Sequence, residues 1–170
     1  MPRLRSQIER AGRKNDEGIE SPETRLKTFI DKFEPGRRKL IRAVRSELRK
    51  SIPSANELVY DNYNFFVIGY SPSDRPSDAI VSIAAGASGV NLYFLQGADL
   101  PDPHKLLLGS GKRGRYVRLD SVSVLARPEI RALLMAAIAH SKSPFRDGVR
   151  GRLVIRSVSA RQRPRRAPER

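Results

Sequence analysis

Residues 60–64 carry the densest group of polar side chains suited to ligand chemistry, reading Tyr60-Asp61-Asn62-Tyr63-Asn64. In an extended strand, Asp61 and Tyr63 share one face while Tyr60 points to the other. Polar groups this close are costly to bury without partners. We interpret Tyr60, Asp61, Tyr63 and Asn64 as a candidate ligand-binding set. The alternative is structural: acidic and amide side chains shape a turn or bulge, and the tyrosines pack with their hydroxyls at the surface.

A second candidate is the glycine-rich stretch Gly109-Ser110-Gly111-Lys112-Arg113-Gly114. Glycines let backbone amides approach an anion, and the ammonium of Lys112 adds charge. The spacing is not that of a phosphate-binding P-loop, because the first two glycines are two residues apart and Arg113 stands where a magnesium-binding hydroxyl belongs. We add Lys112 to the ligand-binding set. The alternative is a flexible loop that leads into a strand.

No catalytic constellation is visible. His104 and His140 are the only histidines, there is no cysteine, and no Ser-His-Asp order, paired-carboxylate spacing or dinucleotide motif occurs. We therefore predict a protein that is not an enzyme and has no cofactor and no metal site. The lack of cysteine excludes disulfides and thiolate zinc sites. No apolar run is long enough for a membrane helix, so we expect a cytoplasmic protein without membrane contact.

Positive charge is the most unusual property of the composition, with 33 Lys and Arg against 18 Asp and Glu, a formal net charge of +15. This excess predicts an acidic partner or weak, sequence-independent nucleic-acid binding. Aromatic platforms on an exposed sheet face are not evident. The alternative is a solvated helix face and a solubilising tail. The oligomeric state is left open. The candidate polyanion-binding residues are Arg37, Arg38, Arg42, Arg163, Arg165 and Arg166.

Three helices are predicted from apolar residues at spacings of three and four. The first begins at Ser21-Pro22, where the hydroxyl caps the first turn, and ends before Pro35. The second spans about 37–51 and pairs with the first as a hairpin, and the third begins at Pro128. A short helical turn is expected after Asp102, containing Leu106, Leu107 and Leu108.

Short runs rich in β-branched and aromatic residues predict strands of an antiparallel meander. The predicted strands cover 57–60, 65–70, 79–85, 90–95, 115–119 and 152–158, the last as an edge strand. The fold class is thus α+β, a two-layer domain in which an antiparallel sheet of five to six strands is packed by three main helices. We expect a mobile leader over 1–20, one domain over 21–160 and a basic disordered tail over 161–170. This arrangement is expected to bring residues 60–64 close to the glycine-rich stretch.

Several stretches together resemble the YdhG-like family of bacterial proteins, described largely as a domain of unknown function. These are Glu57 to Asn64, Asn91-Leu92-Tyr93-Phe94-Leu95, Leu100-Pro101-Asp102-Pro103, Leu107 to Lys112 and Ile155 to Ala160, in this order. The resemblance implies a compact two-layer domain with an antiparallel sheet and no established catalytic residues. The function we infer is a small binding or chaperone-like domain with an unknown ligand.

Some YdhG-like members carry a frataxin-like iron-chaperone label, so an intracellular iron chaperone is a further alternative. Such a protein needs several carboxylates gathered on one face. Here the first two helices offer Glu23, Asp31, Glu34 and Glu47 among a larger number of cations. The net positive charge repels a ferrous ion, so any iron site must be locally exceptional.

Overall fold

The computed structural model describes residues 18–169, and the predicted leader therefore lies outside the described part except for residues 18–20, which are exposed. This described part contains three α-helices: α1 at Pro22–Asp31, α2 at Pro35–Ser51 and α3 at Pro128–Ala139. The Ser21 side chain accepts a hydrogen bond from the amide of Thr24 at 3.2 Å, which confirms the predicted cap. Helix α2 begins at Pro35, slightly earlier than expected, because proline suits the first helical position. No helix between residues 18 and 169 is long and apolar enough to cross a membrane.

Six strands form one sheet in the order β5-β4-β3-β2-β1-β6. Neighbouring strands from β5 to β1 are antiparallel, as predicted. The last strand, β6, is an edge strand as expected but runs parallel to β1, so the fully antiparallel prediction fails there. A strand reached through a long helical connection has no hairpin to fix its direction. The strand bounds are Asn56–Asp61 (β1), Phe66–Ser71 (β2), Val81–Gly86 (β3), Gly89–Phe94 (β4), Arg115–Arg118 (β5) and Leu153–Val158 (β6).

One face of the sheet and the three helices share a single hydrophobic core. Alternate residues of β2, including Phe66 and Ile68, point into it and are fully buried. Phe66 contacts the rings of Phe29 and Phe33 from the α1 side, with ring centroids 6.4 and 5.9 Å apart. The two-layer α+β architecture predicted from the sequence is therefore present, and the helices lie on one face.

Residues 100–109 do not form the expected helical turn. The carboxylate of Asp102 accepts hydrogen bonds from the amides of Leu106 and Leu107, both at 2.9 Å, and Lys105 has a positive φ of 51°. An aspartate that bonds to nearby amides offers the backbone an alternative to helix. Leu108 instead forms an isolated antiparallel bridge with Tyr116 and so borders β5.

The segment after β6 packs back onto the end of β1, where a disordered tail was expected. The amide of Ser159 donates to the carbonyl of Asp61 at 3.0 Å, and the amide of Arg163 donates to the carbonyl of Tyr63 at 2.8 Å. Arg165 is buried. We refer to residues 159–166 as the C-terminal strap.

Candidate functional site

The sheet face opposite the helices carries a groove of about 660 Å³, which we call the open-face groove. Its floor follows from the strand register. One row across the sheet pairs Leu58 with Gly69, Gly69 with Ser82, Ser82 with Tyr93, and Tyr93 with Tyr116. Side chains along such a row point to the same face. The groove is therefore built by strands β1 to β5.

Small side chains form the middle of the groove and aromatic side chains its two ends. Gly69, Ser82 and Ala84 lie in the middle, and a Cβ added at Gly69 would already be in van der Waals contact with Ala79 and the Ser82 hydroxyl. Tyr60 and Phe65 line one end, and the phenol rings of Tyr93 and Tyr116 line the other. Phe65 is 51% exposed and Tyr93 38% exposed.

No charged side chain lines this groove among the described residues. Its polar groups are the tyrosine hydroxyls, two serine hydroxyls and the amide of Asn91. A concave, mostly apolar surface with a few polar groups is the usual character of a small-molecule site, and the volume lies within the range of such sites, roughly 300–1,000 Å³. The sheet thus exposes an aromatic side chain, Tyr93, that was not evident as a platform from the sequence.

The predicted ligand-binding residues separate in the structure. Tyr60 lines the open-face groove, whereas Asp61 points to the helix layer and has no exposed surface. Tyr63 and Asn64 are exposed in the β1–β2 connection, and the guanidinium of Arg163 lies 5.7 Å from the Tyr63 ring centroid. The polar segment thus contributes one residue to the groove.

Lys112 lies at the opposite edge of the sheet from β1. The loop that contains it leads into β5, and strands β4, β3 and β2 lie between β5 and β1. The expected proximity of Lys112 to residues 60–64 is therefore wrong. The loop does reach the β5 end of the groove, because a Cβ added at Gly114 would lie only 1.6 Å from the hydroxyl of Tyr93.

Asp61 is the centre of a buried ionic cluster. Its Oδ2 accepts a hydrogen bond from Nζ of Lys32 at 2.5 Å, and its Oδ1 accepts from Nη2 of Arg165 at 2.9 Å. Nη2 of Arg165 also donates to the carbonyl of Asn62 at 2.5 Å. The carboxylate is fully occupied by cations, which supports the structural interpretation of this residue rather than ligand binding.

Glu57 forms a second buried network, beneath α2. Both of its carboxylate oxygens accept from the guanidinium of Arg45, at 2.8 and 2.9 Å, and the hydroxyl of Tyr70 donates to Oε2 at 3.1 Å. Arg45 also forms a bidentate pair with Glu23 of α1. Burial alone would oppose the charge of Arg45, but its hydrogen bonds with Glu57 and Glu23 raise its pKa above the ordinary value.

Most of the predicted polyanion-binding arginines are already engaged. Arg37 donates to the carbonyl of Ala87 at 2.8 Å, and Arg42 pairs with Asp31 at 2.7 Å. Arg38 approaches the same carboxylate at 3.9 Å. In the C-terminal strap, Arg165 is buried, Arg163 lies over Tyr63 and Arg166 donates to the carbonyl of Lys32. Arg38, Arg42 and Arg165 are thus paired with carboxylates, whereas Arg37, Arg163 and Arg166 contact neutral groups.

Within residues 18–169, no group of three or more His, Asp or Glu side chains is placed to hold a metal ion. Of the carboxylates considered for iron, Asp31 lies between Lys27 and Arg42, and the pKa of Asp31 is lowered mainly by its hydrogen bond with Lys27. Glu23 is paired with Arg45. Each of these two carboxylates is thus neutralised by a nearby cation.

Within residues 18–169, the fold and groove define a small α+β domain with one sheet face covered by helices and one face that no described helix covers. No family model matches the sequence, and no curated protein and no solved structure shows significant similarity to it.

Sequence reasoning missed most of the groove. Tyr93 and Tyr116 lie in predicted strands, but only the register between β4 and β5 shows that their rings are neighbours. The sequence did contain one signal for this surface, the alternation of apolar residues in β4. Val90, Leu92 and Phe94 point to the core, so Asn91 and Tyr93 point to the other face. A tyrosine on a sheet face that none of the described helices covers marks a candidate contact surface.

Proposed function

We propose that this protein is a binding domain for a small, neutral, largely apolar ligand, held in the open-face groove. The observation that carries this proposal is the groove itself: small side chains in the middle leave a space of about 660 Å³ between aromatic side chains at both ends. This is a specific form of the small binding domain expected from the sequence. We also propose that the chain is a member of the YdhG-like family, on the sequence stretches that resemble it.

The composition of the lining supports a neutral ligand. Binding a charged group in an apolar groove requires a paired charge, and no Lys, Arg, Asp or Glu is among the described lining residues. The hydroxyls of Tyr60, Tyr93 and Tyr116 and the amide of Asn91 supply a few donors and acceptors that orient a hydroxyl or carbonyl group. The rings offer flat apolar faces, so a ligand that contains a planar ring system fits this surface best.

The test uses Nile red, a neutral planar dye whose fluorescence rises in apolar surroundings. The full chain is expected to bind about one equivalent saturably. Ala84→Phe places a ring in the middle of the groove and is expected to weaken binding by at least about tenfold, since it occupies the volume that the dye needs. The matched control is Ala139→Phe, which adds the same side chain at an exposed position of α3.

Failure of the full chain to bind the dye saturably would refute the proposal. So would equal affinity of the Ala84→Phe variant and the unaltered chain, provided that thermal unfolding shows both to be folded. A screen of neutral ring-containing compounds, scored by displacement of the dye, then identifies the ligand class.

A further inference from the structure

A second cavity system lies on the helix side of the molecule, between the end of α2 and residues 145–151. It consists of two adjoining cavities of about 530 and 300 Å³, and both are lined by Arg49 and Arg150. We call it the cationic groove. It is separate from the open-face groove, because the two share no lining residue between positions 18 and 169.

Cations outnumber carboxylates in the lining of the cationic groove. Six cationic side chains contribute, against the carboxylates of Glu57 and Asp147. Arg42, Arg45 and Lys50 already donate to carboxylates of this chain at 3.0 Å or less. The other three are Arg49, Arg146 and Arg150.

These three arginines are available to a ligand. Arg49 is 38% exposed and approaches Glu57 only at 3.8 Å, while Glu57 is already satisfied by Arg45. Arg146 and Arg150 are exposed, and neither forms an ion pair with any residue of the described range 18–169. A cation in the last turn of a helix has the structural role of complementing the helix dipole, which accounts for Arg49. Arg146 and Arg150 come from a separate segment and have no such role.

The backbone that directly follows these two arginines is anchored. The amide of Gly151 donates to the carbonyl of Pro53 at 3.0 Å, and the amide of Arg152 donates to Oδ1 of Asn56 at 2.9 Å. The Arg152 guanidinium pairs with Asp74 at 2.6 Å. Because the backbone beside Arg150 is anchored at and just before the start of β1, the backbone position of Arg150 near α2 is set before any ligand arrives. Such preorganisation reduces the cost of binding.

The larger cavity also has an apolar wall. Ile138 and Phe145 line it and are partly buried against the core, and Ile52 and Ala55 lie at its base. A ligand that fills the cavity therefore meets an aromatic ring on one side and guanidinium groups on another. Arginine binds phosphate through several donors in a planar arrangement.

We infer that the cationic groove binds a small phosphorylated compound with a planar apolar body, of the size and chemistry of a nucleotide. The planar body contacts Phe145 and Ile138. The phosphates contact Arg49, Arg146 and Arg150.

Adenosine diphosphate is a suitable probe, with isothermal titration calorimetry on the full chain at low ionic strength. Saturable binding is expected, and Arg150→Ala and Arg49→Ala are each expected to weaken it by about tenfold. Arg131→Ala serves as the matched control, because it removes the same charge from an exposed position of α3 outside the groove and should leave the affinity unchanged. Inorganic pyrophosphate and adenosine should each bind more weakly than the diphosphate.

The Phe145→Ala variant tests the contact with the planar body of the ligand separately from the phosphate contacts. It is expected to weaken binding of adenosine diphosphate while leaving the affinity for pyrophosphate unchanged. Absence of saturable binding, or an equal loss in the Arg131→Ala and Arg150→Ala variants, would overturn the inference. Equal affinity for pyrophosphate and adenosine diphosphate would overturn the assignment of a planar body. None of these outcomes bears on Nile red binding in the open-face groove.

Discussion

Asp61 at the end of β1 and Arg165 in the C-terminal strap are 104 positions apart in sequence and meet in a buried ion pair, with Oδ1 2.9 Å from Nη2. Both side chains are almost entirely removed from solvent. The pair therefore connects the strap to the sheet.

Arg165→Ala is expected to destabilise the fold by about 3 kcal/mol, because loss of one partner leaves a buried charge poorly compensated. Lys32 continues to pair with Asp61, so the cost should stay at the lower end for broken buried pairs. Urea unfolding measures the difference. Arg161→Ala is the control, since it removes an exposed arginine from the same strap. Equal stability of the two variants would show that the buried pair does not hold the strap.

We expect the buried Tyr70 to make the free energy of unfolding fall at alkaline pH. Burial raises the pKa of Tyr70 well above its ordinary value of 10.0, and the charge and hydrogen bond of Glu57 raise it further. The unfolded chain then releases the Tyr70 proton above pH 10 while the folded chain retains it. Stability from this group is present below pH 10 and declines as the pH rises.

The Tyr70→Phe variant should therefore show a shallower alkaline decline in the free energy of unfolding, measured by urea titration from pH 8 to 11. Tyr63→Phe, at a 51% exposed position, is the matched control and should keep the slope of the unaltered chain. A Tyr70→Phe variant with that same slope would contradict the predicted shift.

We expect the Glu23–Arg45 pair to lose its stabilising contribution at acid pH. Its hydrogen bond with Arg45 lowers the pKa of Glu23 below the ordinary value of 4.5, with a smaller opposing effect of burial. The stabilisation is present above pH 4.5 and is lost as the pH falls through the lowered pKa. Glu23→Gln should flatten the stability curve between pH 5 and 3, whereas Glu20→Gln, an exposed carboxylate close by, should not. Identical curves for both variants would argue against the Glu23–Arg45 pair in solution.

Gly151 is required by close packing. A Cβ there would lie 1.7 Å from the carbonyl oxygen of Ala55, and this backbone atom cannot move aside cheaply. Gly151→Ala is expected to cost about 2 kcal/mol or more in thermal or urea unfolding, in the range for overpacked sites. Gly36→Ala is the matched control: nothing lies within 4 Å in α2, so stability should rise by about 0.5 kcal/mol. Because Gly151 anchors the segment next to Arg150, Gly151→Ala should also weaken adenosine diphosphate binding.

The helices and most strands were predictable because the patterns that mark them, apolar spacing and capping residues, lie within each segment. Apolar spacing placed the helices, and Ser21-Pro22 marked the start of α1. The same reasoning failed at Leu106 to Leu108, because an apolar run says nothing about the Asp102 carboxylate that binds the amides of two of them.

The candidate site was less predictable, because it depends on contacts between distant residues. The cluster at residues 60–64 is conspicuous in sequence, yet Asp61 lies under the helices once Lys32 and Arg165 surround it. The groove instead combines Tyr60 with rings from β4 and β5, and only strand register brings these together. Charge counts identified the arginine-rich α2 but not which of its guanidinium groups are already paired.

The parallel position of β6 beside β1 has a consequence for synthesis of the chain on the ribosome. Strands β1 to β5 emerge in the order in which they pair, but the outer edge of β1 stays open until residues 153–158 have left the exit tunnel. During that interval, the nascent chain presents unpaired backbone amides and carbonyls beside the buried residues Leu58 and Val59, and such an edge recruits other chains.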